Sequence, residues 1–193
     1  IVKTIGADEL AEKTGYAAPH TVHCGTDGIY MNALGAPDGG GPGGIFVLDP
    51  DTFEVKGAWE KDRGDQFLSY DFWWHLGHDT MLTSEWGTPN MVGEGVNPEL
   101  LLAGEYGHRL HVWELASGKH RQTLDLGPDQ QMVLELRPSH DPNQTYGFAG
   151  VVLSLEDLSA SVWLWHRVGN NGTGRWEARK VITIPAEPAD AEL

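Results

Sequence analysis

The chain has 193 residues, 40% of them hydrophobic, with 25 glycines, 11 prolines, 8 tryptophans and one cysteine; this describes a turn-rich folded protein with room for a sizeable core, not a disordered one. Twenty-eight acidic against 13 basic residues give a formal charge of −15, which argues against a polyanion-binding surface and sets nucleic acid aside as a partner. A lone cysteine excludes an internal disulfide framework, and the longest apolar run, Phe148 to Leu155, is far short of a membrane span.

In chain order, Ile1–Ile5 reads as a strand, and the polar stretch Gly6 to Gly15 as a link holding a helical turn around Asp8 to Lys13. Four strands follow: His20–Cys24, Ile29–Leu34, Gly44–Asp49 and Phe53–Trp59. They are separated by the turn Gly25-Thr26-Asp27-Gly28, the glycine-rich link Gly35–Gly43 and the turn Pro50-Asp51-Thr52. A second four, Ser69–Trp74, Thr80–Trp86, His108–Leu115 and Arg121–Leu126, contains a long insertion over Gly87–Gly107. The third four are Val133–Arg137, Tyr146–Leu153, Ser161–His166 and Trp176–Ile184, with Gly169-Asn170-Asn171-Gly172 turning the last pair.

Four-strand groups repeating along a chain are the pattern of β-propeller blades, so the expected fold is all-β, with three antiparallel blades at about 20–60, 69–127 and 132–185. The whole chain is then one partial propeller domain, with residues 1–19 as the end of a preceding blade and a linker. Three blades do not close a ring, and the chain opens at Ile1 without a methionine. It is therefore expected to be a piece of a longer protein whose remaining blades are its partners; cytoplasm and periplasm both stay open as its location.

Chemistry concentrates in Pro19-His20-Thr21-Val22-His23-Cys24-Gly25, which places two imidazoles and the only thiol within five residues. These are donors that copper or zinc prefers. On a regular strand His20 and His23 point to opposite faces, so both reach one ion only if the backbone bends. The alternative is that one ring packs in the core while the other caps a loop.

In a blade the first strand lines the central channel, and His20 shares its end with the Gly35–Gly43 link and the Gly87–Gly107 insertion. Tyr70 and Asp71 begin the second blade's first strand, and Glu135 and Arg137 lie on the third's. These are candidates to support a ligand, or else paired charges lining a wet channel. Glu85 and Trp86 could orient a ligand imidazole or wall a thiol pocket, against a carboxylate tied to a loop amide. Cys24 is a soft ligand, a redox thiol or a small buried hydrophobe. His75, His78 and His140 fall at the opposite end and read as structural. His108, His111, His120 and His166 lie on outer strands or turns and are expected at the surface. The run Gly39 to Gly44 is no phosphate loop, since no Gly-Lys-Ser/Thr follows and a strand stands where a helix is required.

The segments His20-Thr21-Val22-His23-Cys24, Gly44-Ile45-Phe46-Val47-Leu48-Asp49, Tyr70-Asp71-Phe72-Trp73, Ser84-Glu85-Trp86-Gly87-Thr88-Pro89-Asn90 and Tyr106-Gly107-His108-Arg109-Leu110-His111-Val112-Trp113 resemble the selenium-binding protein family, which includes methanethiol oxidases. So does Thr52-Phe53-Glu54-Val55-Lys56-Gly57-Ala58-Trp59-Glu60. The likeness runs from about Pro19 to Pro185, and family members are roughly twice this length, so it implies the middle of a seven-bladed propeller. It further implies copper-dependent oxidation of a small thiol, methanethiol, with oxygen to formaldehyde, hydrogen sulfide and hydrogen peroxide. His20 and His23 match a pair of the family's metal-ligating histidines. Selenium binding in the family is attributed to a Cys-x-x-Cys stretch that this chain does not contain, as it also lacks the family's other histidine motifs. A non-catalytic propeller that binds selenium, metal or a protein partner is the alternative reading.

Overall fold

The computed structural model describes residues 1–169 and 174–188. Helix α1 (Ala7–Thr14) comes first; it carries Asp8 and Glu9 in its first turn and Lys13 in its last, which suits the helix dipole, and it stops at Gly15, whose φ of 78° lets its N–H reach Ala11 O. Sheet 1 contains β1 (Ala17–Cys24), β2 (Ile29–Gly35), β3 (Gly44–Leu48) and β4 (Val55–Ala58). Sheet 2 contains β5 (Phe72–His75) and β6 (Thr80–Ser84), then two short helices, α2 (Pro89–Val92) and α3 (Pro98–Leu102), and then β7 (Arg109–Glu114) and β8 (Lys119–Asp125). Sheet 3 contains β9 (Gln130–Pro138), β10 (Tyr146–Ser154), β11 (Ala160–Val168) and β12 (Arg175–Ile184). Every neighbouring pair is antiparallel and every sheet runs in sequence order, which is how propeller blades are built. Among the described residues no helix is long and apolar enough to cross a membrane.

Residues 1–6 form no strand; Ile1 and Val2 are exposed, and the extended segment has no ladder partner among the described residues. The first ladder begins at Ala17, ahead of the expected His20. The expected turn Gly169-Asn170-Asn171-Gly172 lies largely outside the described residues.

Alternation along the strands makes the sheets stack. On β6, Met81 faces sheet 1 and packs with Tyr30, Ile45, Phe72 and Trp113, while its neighbour Leu82 faces sheet 3 and packs with Val133, Leu136 and Trp165. Strand β7 repeats this, with Trp113 toward sheet 1 and Leu110 and Val112 toward sheet 3. Sheet 2 is therefore covered on both faces. The other face of sheet 1 is covered by α1, whose Leu10 packs with Tyr16, Phe46 and Val55.

One turn yields a pH prediction. Asp49 Oδ1 accepts the N–H groups of Asp51 and Thr52, each at 3.0 Å, and these bonds hold its carboxyl down at about 2. A carboxylate depressed on folding contributes stability above its ordinary titration range, and that contribution is lost as pH falls through the folded value. The stability difference between the native chain and Asp49→Ala, measured by urea unfolding, is expected to be constant from pH 7 to 5 and to close toward pH 2. A gap that persists at pH 2 would rule out this role for the turn.

Candidate functional site

The strand that carries the two histidines is not regular. Pro19 pairs with Ala33 and Val22 with Met31, so three steps on β1 oppose two on β2, and Ala18 sits at φ 54°. This β-bulge shifts the alternation by one residue, and a bulge is a known device for re-aiming a side chain. His20 and His23, which a flat strand would place on opposite faces, both meet sheet 2. The His20 ring lies 4.2 Å from that of Tyr70, and the His23 ring lies 4.3 Å from Trp73 and 5.0 Å from Phe72.

The hydrogen bonds assign the protons. Thr21 Oγ1 donates to Tyr70 O at 3.3 Å, so at 3.0 Å it accepts from His20 Nδ1–H, leaving a lone pair on Nε2 of the exposed His20 ring. His23 Nε2 is buried with no hydrogen-bond partner among the described residues. Burial pushes the His23 imidazole below its ordinary range, with Asp71 pulling it back up and Arg137 adding to the fall. Nε2 of His20 and Nε2 of His23 are thus the atoms that the two rings have left to offer a metal.

The first strands of the three sheets meet here. From the segment leading into β5, Tyr70 packs at a tilt against His20 and lies edge-on to Trp86, 5.0 Å away. Burial raises the Tyr70 phenol, with the charges of Asp71 and Glu135 adding, so it stays a proton donor. Asp71 is buried, and its Oδ2 accepts Leu136 N–H from β9 at 2.8 Å. Burial raises its carboxyl, against the bonds from Leu136 and Phe72 and the charge of Arg137. Arg137 pairs with Asp71 at 3.6 Å and Glu135 at 2.7 Å, and its guanidinium lies 5.8 Å from the Trp73 ring. His20, His23, Tyr70, Asp71, Trp86, Glu135 and Arg137, widely spread in sequence, therefore form one connected surface. The two long loops meet at the same end, where Asn90 N–H donates to Gly39 O at 2.9 Å.

Two other candidates fall elsewhere. Cys24 is exposed, not a small buried hydrophobe, because β1 is an edge strand and the residue after His23 points off the covered face. Glu85 is buried and does orient an imidazole, but its Oε1 accepts from His111 Nε2–H at 2.9 Å and makes no bond to His20 or His23.

His111 corrects a second expectation. It is 0% exposed and His120 is mostly covered, although both lie on outer strands, because the face of sheet 2 that they share with Trp113 packs against sheet 1 and its connection. With Asp65, from the β4–β5 connection, they form a group whose ligand atoms all lie within 4.8 Å of one another. The available sequence signal was the alternation of β7, which puts His111 on the same face as Trp113. As expected, His75 is structural, donating from Nε2 to Gln144 O at 2.6 Å and stacking on His78 at 4.6 Å.

A family model described as 56kDa selenium binding protein (SBP56) matches residues 1–193. The chain belongs to the selenium-binding protein family. A methanethiol oxidase of Danio rerio is 40% identical over 97% of the chain, and selenium-binding protein 2 of Mus musculus 39% identical over 96%. The crystal structure of a hypothetical selenium-binding protein from Sulfolobus tokodaii superposes with a TM-score of 0.91 at 49% identity, over 96% of the chain. The chain spans about two-fifths of the length of these relatives, 40%, 38% and 40% respectively. This member of the family carries its paired histidines on the β1 bulge.

Proposed function

We propose that this chain is part of a methanethiol oxidase, which converts methanethiol, oxygen and water to formaldehyde, hydrogen sulfide and hydrogen peroxide, and that His20 and His23 contribute to its copper site. The observation that carries this reading is the bulge, which turns two imidazoles from one strand toward the same neighbouring sheet and leaves Nε2 of His23 buried without a partner. The donor set fits copper, since two neutral imidazoles are ligands it binds strongly. Copper, when bound, would supply the one-electron chemistry that couples thiol to oxygen.

The chain's own residues have simpler tasks. Thr21 holds the His20 tautomer, Tyr70 (tilted) and Trp73 (edge-on) pack against the two rings, and Trp86 adds an apolar wall suited to a methyl group. Two imidazoles leave coordination positions open, and the remaining ligands are assigned to the other blades of a seven-bladed whole. The exposed thiol of Cys24 beside His23 favours a second reading, a propeller that binds selenium or metal without turnover.

Turnover by the whole protein and by residues 1–193 alone separates these. The whole protein is expected to release sulfide from methanethiol in proportion to its copper content, while the isolated chain binds Cu(I) weakly under a competing chelator and shows no turnover. Tight stoichiometric Cu(I) binding by the isolated chain that is lost on Cys24→Ser would reverse the ranking in favour of a local thiolate site.

A further inference from the structure

We propose that Asp65, His111 and His120 form a second metal site, for a divalent transition metal of the zinc type, which pins the β4–β5 connection to strands β7 and β8. It is separate from the histidines on β1: its two imidazoles come from the third and fourth strands of sheet 2, whereas His20 and His23 rest against the first, at least two strand spacings or roughly 10 Å away.

The distances carry the inference. His111 Nδ1 and His120 Nε2 are 3.0 Å apart, and Asp65 Oδ1 lies 3.9 Å from the first and 3.5 Å from the second. The circle through those three atoms has a radius of roughly 2.0 Å, which is the length of a zinc bond to imidazole nitrogen or carboxylate oxygen. An ion slightly off that plane thus reaches all three without movement of the backbone. A fourth position remains for water or for Thr123, whose Oγ1 lies 3.4 Å from His120 Nε2 and 3.5 Å from His111 Nδ1 while donating to Asp65 Oδ1 at 2.7 Å.

The surroundings are those a ligated imidazole needs. Glu85 Oε1 accepts the hydrogen bond of His111 Nε2–H at 2.9 Å, which directs the Nδ1 lone pair into the site; a carboxylate behind a ligating histidine sets both tautomer and ring orientation. Gly64 lies against His120 so closely that a Cβ there would come 2.4 Å from Nδ1, so the connection is shaped around this ring. Backbone bonds already tie the same segments, with His120 N–H donating to Asp62 O at 2.8 Å. The N₂O donor set without thiolate, together with the carboxylates of Asp65 and Glu85, favours a dication of borderline softness.

The test uses the chain with His20→Ala and His23→Ala, so that the other imidazole pair cannot take the ion. After chelator stripping, it is titrated with Zn²⁺ against a chromophoric competitor and with Co²⁺ followed by visible absorption. One equivalent is expected to bind, with cobalt bands of tetrahedral intensity and no thiolate charge-transfer band, and the thermal midpoint is expected to rise with zinc concentration. Adding Asp65→Asn and His120→Gln is expected to weaken zinc at least 100-fold and abolish the rise, and Glu85→Gln to weaken it 10- to 100-fold. Asp65 has a side chain 55% exposed, so Asp65→Asn alone keeps the fold and must still lower affinity. Absence of zinc binding in the His20→Ala/His23→Ala chain, or unchanged affinity in a folded Asp65→Asn variant, overturns the proposal.

Discussion

Changing His20 and His23 together to alanine in the whole protein is expected to remove bound copper and methanethiol oxidation in one step, by more than the 10- to 100-fold that loss of an outer supporting group produces. His20 is exposed and His23 half-buried, so neither anchors the core, and the thermal midpoint of the double variant should stay near that of the parent. Loss of metal without loss of fold is the signature of a ligand. Cys24→Ser is expected to keep most of the copper, because the thiol is exposed beyond the residues that meet sheet 2. Thr21→Val lies between: it removes the acceptor that holds His20 Nδ1–H and so releases the tautomer, but leaves both rings in place. Metal analysis with sulfide release measures all three variants, and a double variant that retains both copper and turnover rejects the assignment of His20 and His23.

The largest effect on stability is expected at Trp113. It is 1% exposed, lies edge-on to Trp59 and His120 at 5.6 and 5.1 Å, and donates from Nε1 to Thr83 Oγ1 at 3.1 Å. Trp113→Ala removes the most deeply buried indole of the core between sheets 1 and 2, at a cost of about 3–5 kcal/mol. Trp113→Phe keeps part of the ring contact and leaves the Thr83 hydroxyl without its donor, so its loss should be smaller. Urea unfolding gives both values, and a loss under about 1 kcal/mol for Trp113→Ala would show that the two sheets do not share this core. Because His120 rests on the indole, the same variant should also loosen the Asp65–His111–His120 group.

Twelve strands were legible in the sequence because each is bounded by turn residues that act locally: Asp27-Gly28, Pro50-Asp51 and Ser117-Gly118 end ladders for reasons contained in a few residues. The strand read at Ile1–Ile5 fails for a complementary reason: its pattern is right, but a strand also needs a neighbour, which local pattern does not report. The bulge on β1 was invisible because it falls at His20 and Thr21, between the pairs Pro19–Ala33 and Val22–Met31, with no glycine to announce it. Its effect on the site is nonetheless large, since one inserted residue brings His20 and His23 to the same side. His111 and His120 are brought together by the β7–β8 hairpin, but Asp65 comes from the β4–β5 connection, and only the docking of that connection on sheet 2 joins it to them. The meeting of Tyr70, Asp71, Glu135 and Arg137 with the histidines was foreseeable because blade order puts first strands beside one another.

The bulge has a mechanical consequence. Strand β1 is an edge held by one ladder, and that ladder is interrupted at the residues that carry His20, whose ring leans on Tyr70 from the next sheet. The distance from the two imidazoles to Tyr70 and Trp73 thus follows the angle between sheets 1 and 2, in the way a caliper's jaws follow its hinge. A change in the tilt of sheet 1 on sheet 2 would therefore be felt as a change in how tightly the two rings are held.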